Sequence, residues 1–283
     1  IALPWFVLQL TGSGTATAAV MLSLQLPALV MGVVVGSLLD RVQPRLVMGV
    51  DNILRALLVA LIPLLYWSDQ LALPVLFVIT ILVGMLQPAT LVGSRVILPD
   101  LVDDSDLDTA NMLWSFSANL SIVIGPAVAG ILVAAVGGPW VLLIDASTFV
   151  LMALVTATLP PIARSFNPQR VPLAERLGLR QLWNFKVVRI TTLLSLVFFF
   201  SYGPLEAALP LYSANILQTD ARGYGLLWTA LGIGALLGTL GSTEVSRRLR
   251  LGLALPLIAL LWGACLLPLA IVFATLALCR FVT

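Results

Sequence analysis

Gly36-Ser37-Leu38-Leu39-Asp40-Arg41-Val42-Gln43-Pro44-Arg45 ends one long uncharged run and leads directly into another. Asp-Arg stops the first run, a proline that cannot continue a helix follows, and a second arginine precedes the next apolar residues. A turn this short and charged, set between two apolar runs of membrane-spanning length, joins two membrane helices. From it the chain reads as a polytopic, all-α membrane protein.

Composition points the same way. Of the 283 residues, 60% are hydrophobic and only 10% charged, and the mean hydropathy is +1.08; a soluble domain carries roughly a quarter charged residues. The lipid bilayer is therefore the expected surrounding. Fifteen basic and thirteen acidic side chains leave a formal charge of +2, with no clustered basic face of the kind that nucleic acid requires. There is no histidine, and the two cysteines, Cys265 and Cys279, lie in apolar sequence. That argues against common zinc sites and a disulfide framework. No metal or other cofactor is expected, and any proton chemistry falls to carboxylates.

A helix needs about 20 apolar residues to cross the hydrocarbon layer. Residues 1 to 10 are too few and are followed by the turn-forming Thr11-Gly12-Ser13-Gly14-Thr15, so they read as the second half of a span. Full spans are expected at 16 to 39, 46 to 66, 73 to 95, 109 to 135 and 140 to 159. Residues 1–159 thus make a first six-helix half. Residues 160–189 form a proline-rich linker holding six of the basic residues against Glu175 alone. Spans at 190 to 213, 223 to 246 and 252 to 272, then the start of another, make residues 190–283 an unfinished second half. The expectation is a 6+6 plan, cut at both ends and running from the second half of the first span to the start of the tenth.

Lysine and arginine favour the cytoplasmic side of a membrane. With alternate loops inside, Arg41, Arg45, Arg95, the six basic residues of the linker, Arg247, Arg248 and Arg250 are cytoplasmic, which is twelve of the fifteen. The opposite orientation reverses that count, so the opening turn and the linker are read as cytoplasmic.

The pattern Gly36-x-Leu38-x-Asp40-Arg41, with Arg45 after it, resembles the signature loop of the major facilitator superfamily. Gly125-Pro126-Ala127-Val128-Ala129-Gly130 on the fifth span resembles the glycine-proline motif of its proton-coupled exporters. Pro88-Ala89 to Arg95, Leu98-Pro99-Asp100-Leu101-Val102 and Ala110-Asn111 are similar to the bacterial drug and siderophore exporter branch, macrolide-efflux-like members included. There are departures. Gln43 and Pro44 replace a glycine and a basic residue, and Ser121 and Ala129 stand where glycines are common.

The resemblance implies a transporter of the bacterial plasma (inner) membrane, monomeric, with two six-helix halves that rock about a midplane site. It would export small, partly apolar molecules, drug or siderophore in type, in exchange for protons, with the proton gradient as energy source. The alternatives are uptake by proton symport, which the fifth-span motif disfavours, and a non-transporting receptor or scaffold on the same fold. An enzyme is not expected, because no nucleophile-base set is present and no Walker motif supplies ATP.

Resemblance assigns Gly36, Asp40, Arg41, Arg45 and Arg95 to a gate, with Arg95 the best partner for Asp40 in this chain. It assigns Ser121, Gly125, Pro126 and Gly130 to the antiporter-like motif. The residues themselves indicate more. Asp51 and Arg55 stand at i,i+4 in the third span, one turn apart, and neutralise each other; because third spans are peripheral in that superfamily, the resemblance implies a structural ion pair over a transport role. Glu206 and Asp145 are carboxylates inside spans, hence proton-coupling candidates. Gln25, Gln87 and Tyr202 are polar groups available to a substrate cavity. The run Gly232 to Gly238 lies wholly in a span and follows no strand, so it reads as packing.

Overall fold

The computed structural model describes residues 1–160 and 185–248, together with Leu261 and Ala264. The linker between 161 and 184, the ninth expected span at 252 to 272, Arg250, Cys265 and Cys279 lie outside the described residues. Two compact units divide the chain, one of residues 1–177 with 206–233, the other of residues 178–205 with 234–283.

In the first unit, α1 (Ala2–Thr11) ends at Gly12, whose positive φ of 63° suits a residue without Cβ and lets its N–H reach Leu8 O at 2.8 Å. Ser13 then caps α2 (Gly14–Leu39), its Oγ accepting from the Ala16 N–H. The turn read from the sequence follows, with the Arg41 and Val42 N–H groups both donating to Leu38 O. Pro44 occupies the first position of α3 (Pro44–Trp67), where its missing N–H costs nothing. The proline therefore opens the next helix as well as barring continuation of the last.

The fourth span is where the structure differs from the expected single helix. It divides into α4 (Leu73–Leu86) and α5 (Pro88–Leu101), with Gln87 between them. Pro88 has no N–H to give to the carbonyl four residues back and its ring crowds that turn, so the ladder is broken at this joint. A 3-10 turn at Asp104–Asp106 leads into α6 (Leu107–Val136). Gly137, at φ 88°, makes the whole connection to α7 (Gly138–Thr158). The first part of α9 (Ala221–Arg248) and the later part of α8 (Lys186–Asn215) belong to this unit as well.

Among the described residues, five segments are long and apolar enough to cross a membrane: Gly14–Gly32, Pro44–Trp67, Leu73–Leu101, Asp104–Val136 and Gly138–Thr158. The most extensive contact is α3 on α7, and α2 lies against both α4 and α5. Phe6, Val20, Ile62, Leu76, Ile79 and Leu142 share one buried cluster that unites α1, α2, α3, α4 and α7. Away from it large apolar side chains face outward, Leu29 at 75% and Leu57 at 64% exposure. That is the pattern of helices bathed in hydrocarbon, where every backbone group is satisfied within its own helix.

The unit has two chemically distinct ends. At one, Arg45 Nη1 donates to Leu159 O at 3.1 Å, which ties the Asp40 turn to the exit of α7. At the other, Trp67 and Trp140 lie with their rings tilted against each other at 4.8 Å and Phe6 meets Tyr66 edge-on at 5.2 Å, an aromatic set of the kind that lies at a membrane interface. The second unit includes the start of α8, with Leu193 and Leu196 outward, and the later part of α9.

Candidate functional site

Gly36, Asp40, Arg41 and Arg45 lie at or beside the turn between α2 and α3. Asp40 and Arg41 are exposed, while Arg45 is held by Gln43 Oε1 at 3.0 Å and by Leu159 O. Arg95 on α5 does not meet Asp40. Its guanidinium carbon stands 3.4 Å from the centroid of the Trp114 ring on α6, a cation–π arrangement. Among the described residues no ion pair joins Asp40 to a cation.

Asp51 and Arg55 form the pair expected from their spacing, 2.6 Å apart with side chains 2% and 9% exposed. It is the centre of something larger. Thr90 on α5 donates to Asp51 Oδ2 at 2.5 Å and accepts from Arg55 Nη2 at 2.9 Å and Asn52 Nδ2 at 2.8 Å. Phe149 of α7 lies beneath the guanidinium, 4.5 Å from Cζ to the ring centroid. Burying two charges is costly unless geometry and further hydrogen bonds compensate, and Thr90, Asn52 and Phe149 supply those contacts. Sequence reading missed all three, since they come from positions 35 or more residues distant, or, for Asn52, from an amide with no charge to announce it.

The glycine-proline motif on α6 presents two faces. Ser121 is exposed, its Oγ bonded back to Ser117 O, and Gly125 has open space where a Cβ would stand. Pro126 and Gly130, with Ile122, form an i,i+4 stripe on which α9 lies. A Cβ on Gly225 would come within 2.5 Å of Pro126 O and 3.0 Å of Gly130 Cα. One on Gly232 would be 2.8 Å from Ile122 O. This is close packing of the sort that small residues permit between membrane helices, and it accounts for Gly232 in the run read as packing; Gly234 and Gly238 face open space.

The remaining polar candidates converge in part. Gln25 on α2 donates through Nε2 to both oxygens of Glu206 on α8, at 3.3 Å each. These residues are separated by 181 positions in the chain. Gln25 is about 16 Å along the axis from the start of α2, and Glu206 about 14 Å from the end of α8, at 1.5 Å per residue, so both lie well inside their helices. Tyr202, half-buried, precedes Glu206 by one turn on α8. Asp145 is exposed on α7 and does not join them. Gln87 sits at the α4–α5 joint with its side-chain oxygen buried and without a hydrogen bond. Among the described residues no cluster of acidic, cysteine or histidine side chains could hold a metal ion.

The profile of a major facilitator family described as "Transmembrane secretion effector" matches residues 1–282. The chain belongs to the major facilitator superfamily. The chain is 31% identical over 259 residues to the multidrug efflux pump Tap of Mycolicibacterium fortuitum, covering 87% of this chain and 63% of the relative. To Tap of Mycobacterium tuberculosis (strain ATCC 25618 / H37Rv) it is 31% identical over 283 residues, covering 92% and 67%. It is 25% identical to the staphyloferrin A transporter of Staphylococcus aureus over 85% of its length and 61% of the relative. The chain thus spans roughly two thirds of the length of the curated relatives it matches. It is a multi-pass membrane protein of a transporter family.

Proposed function

We propose that this transporter exports small, partly apolar molecules from a bacterial cytoplasm by alternating access, driven by proton antiport across the plasma membrane. The Asp40 turn and the basic linker would face the cytoplasm. The observation that carries the reading is the Gln25–Glu206 contact, because it couples a titratable group to the join between a helix of the first half and one of the second. As a carboxylate, Glu206 is acceptor-only and both oxygens accept from the Gln25 amide nitrogen; once protonated, one oxygen carries an O–H donor and only the carbonyl oxygen keeps its full acceptor role, so the shared contact is re-formed with different geometry. Loading and releasing a proton would therefore alter how α2 holds α8. The names of the Tap relatives support export of drug-like compounds, and that of the staphyloferrin A transporter supports a siderophore as the other substrate class.

The test is accumulation of fluorescent lipophilic dyes, cationic and neutral, in cells producing the full chain. Lower accumulation than in control cells, restored by a protonophore, is the expected result. Accumulation unchanged for every dye, or lowered equally with the protonophore present, would contradict it.

A further inference from the structure

The Gln87–Pro88 joint divides the fourth span into two half-helices that are fastened to different neighbours. α4 is fixed to α2: Ser23 and Thr80 share a hydrogen bond of 2.6 Å, and Gly84 lies so close to the Leu24 backbone that a Cβ would stand 2.0 Å from Leu24 O. α5 is fixed to α3, through Thr90 and through Gly93, where a Cβ would meet Met48 Cγ at 2.7 Å. Its contact with α2, Ala89 against Val35 and Leu39, is apolar and has no directional hold.

We infer that Thr90 is a positioning residue, pinning α5 to the Asp51–Arg55 pair so that the Gln87–Pro88 joint acts as a hinge and the placement of Arg95 follows the pin. A threonine hydroxyl has one hydrogen to donate and two lone pairs to accept with. Thr90 uses all three, on Asp51, Arg55 and Asn52. No other side chain described in this cluster touches all of the other three. Arg95 follows five residues later, about 7 Å further along the same helix, so a rigid α5 transmits the hold at Thr90 to the guanidinium over Trp114.

The cluster also has unused hydrogen-bonding capacity. Asp51 Oδ1, Arg55 Nε and Gln87 Oε1 are buried and without partners. Buried polar atoms are nearly always satisfied, and Gln87 stands one turn from Thr90 on the hinge side. A swing of α5 offers that acceptor and the Arg55 donor a second set of bonds, which makes the joint two-state instead of loose.

The inference rests on the transport reading, and the experiment separates them. Ser94, half-buried and next to Arg95, is changed to cysteine in a chain with Cys265→Ser and Cys279→Ser. Maleimide labelling in proteoliposomes is then followed with and without an imposed pH gradient, alongside turnover and KM for an exported dye. In the parent the gradient alters labelling of the Ser94→Cys thiol several-fold. Thr90→Val abolishes that response and lowers turnover several-fold at unchanged KM, whereas Thr90→Ser preserves both. Should Thr90→Val not reach the membrane, Thr90→Ala serves in the same comparison. A Thr90→Val response equal to the parent's, or a Thr90→Ser response as poor as that of Thr90→Val, overturns the inference while leaving transport intact. A parent that shows no response to the gradient overturns proton-coupled movement and the hinge together.

Discussion

Replacing Gly225 by alanine adds one carbon at the point where α9 lies on α6. That carbon would be 2.5 Å from Pro126 O and 3.0 Å from Gly130 Cα. Ordinary van der Waals contact begins at 3.4 Å, so the two backbones must part by about 0.9 Å at this point. Neither side can yield by turning a side chain, because the obstacles are main-chain atoms. Overpacking of this kind costs about 1–3 kcal/mol. Lipid offers no hydrophobic compensation for separating helices, whose association depends on the packing itself. Alanine also favours a helix over glycine by about 1 kcal/mol, which would disguise part of the loss. Gly234→Ala, on the same helix with nothing within 4 Å of its Cβ, carries the same propensity gain without the collision and is the proper reference. The assay is thermal unfolding in detergent together with dye export in proteoliposomes. Gly225→Ala is expected to unfold at lower temperature than Gly234→Ala and to export more slowly. Equal stability and equal export for the two variants would refute the close contact of α6 with α9.

Two further outcomes follow from the polar residues. Asp51→Ala leaves Arg55 charged, buried and without its 2.6 Å partner; a loss of about 3–5 kcal/mol is expected, read by unfolding in detergent, with the double variant Asp51→Ala, Arg55→Met recovering much of it. Asp40→Asn removes a carboxylate that is exposed at the α2–α3 turn, so membrane insertion should be unchanged while export slows; unaltered export would remove Asp40 from the gate.

Local chemistry was readable and distant chemistry was not. The Asp40–Pro44 turn, the Gly12 and Gly137 connections and the Asp51–Arg55 pair each depend on residues within a few positions of one another, and each lies where its sequence placed it. The break at Gln87 was concealed by its apolar surroundings, although Pro88 is its cause. Resemblance and its place at the end of the fourth span pointed Arg95 toward Asp40; the ring of Trp114, which gives the guanidinium a face to rest on, carries no charge to reveal it. Thr90 is an unremarkable hydroxyl until α5 is folded against α3. Gln25 and Glu206 were separately recognisable as polar groups inside spans, but only the packing of α2 near α8 makes them one site. Of the fifth-span residues the sequence marked, Pro126 and Gly130 make the close contact with α9, joined by Ile122, which it did not mark, while Gly125 has open space where a Cβ would stand.

The proposed coupling turns on the carboxylate of Glu206. The most direct test is proton movement in proteoliposomes holding a pH-sensitive dye, with an exported compound added to the wild type and to Glu206→Gln. Glutamine keeps the size of the side chain and can still meet Gln25, but it cannot take up or release a proton. The account predicts substrate-triggered proton flux in the wild type and none in Glu206→Gln, with substrate exchange at zero gradient retained. Proton flux of wild-type size in Glu206→Gln would contradict it.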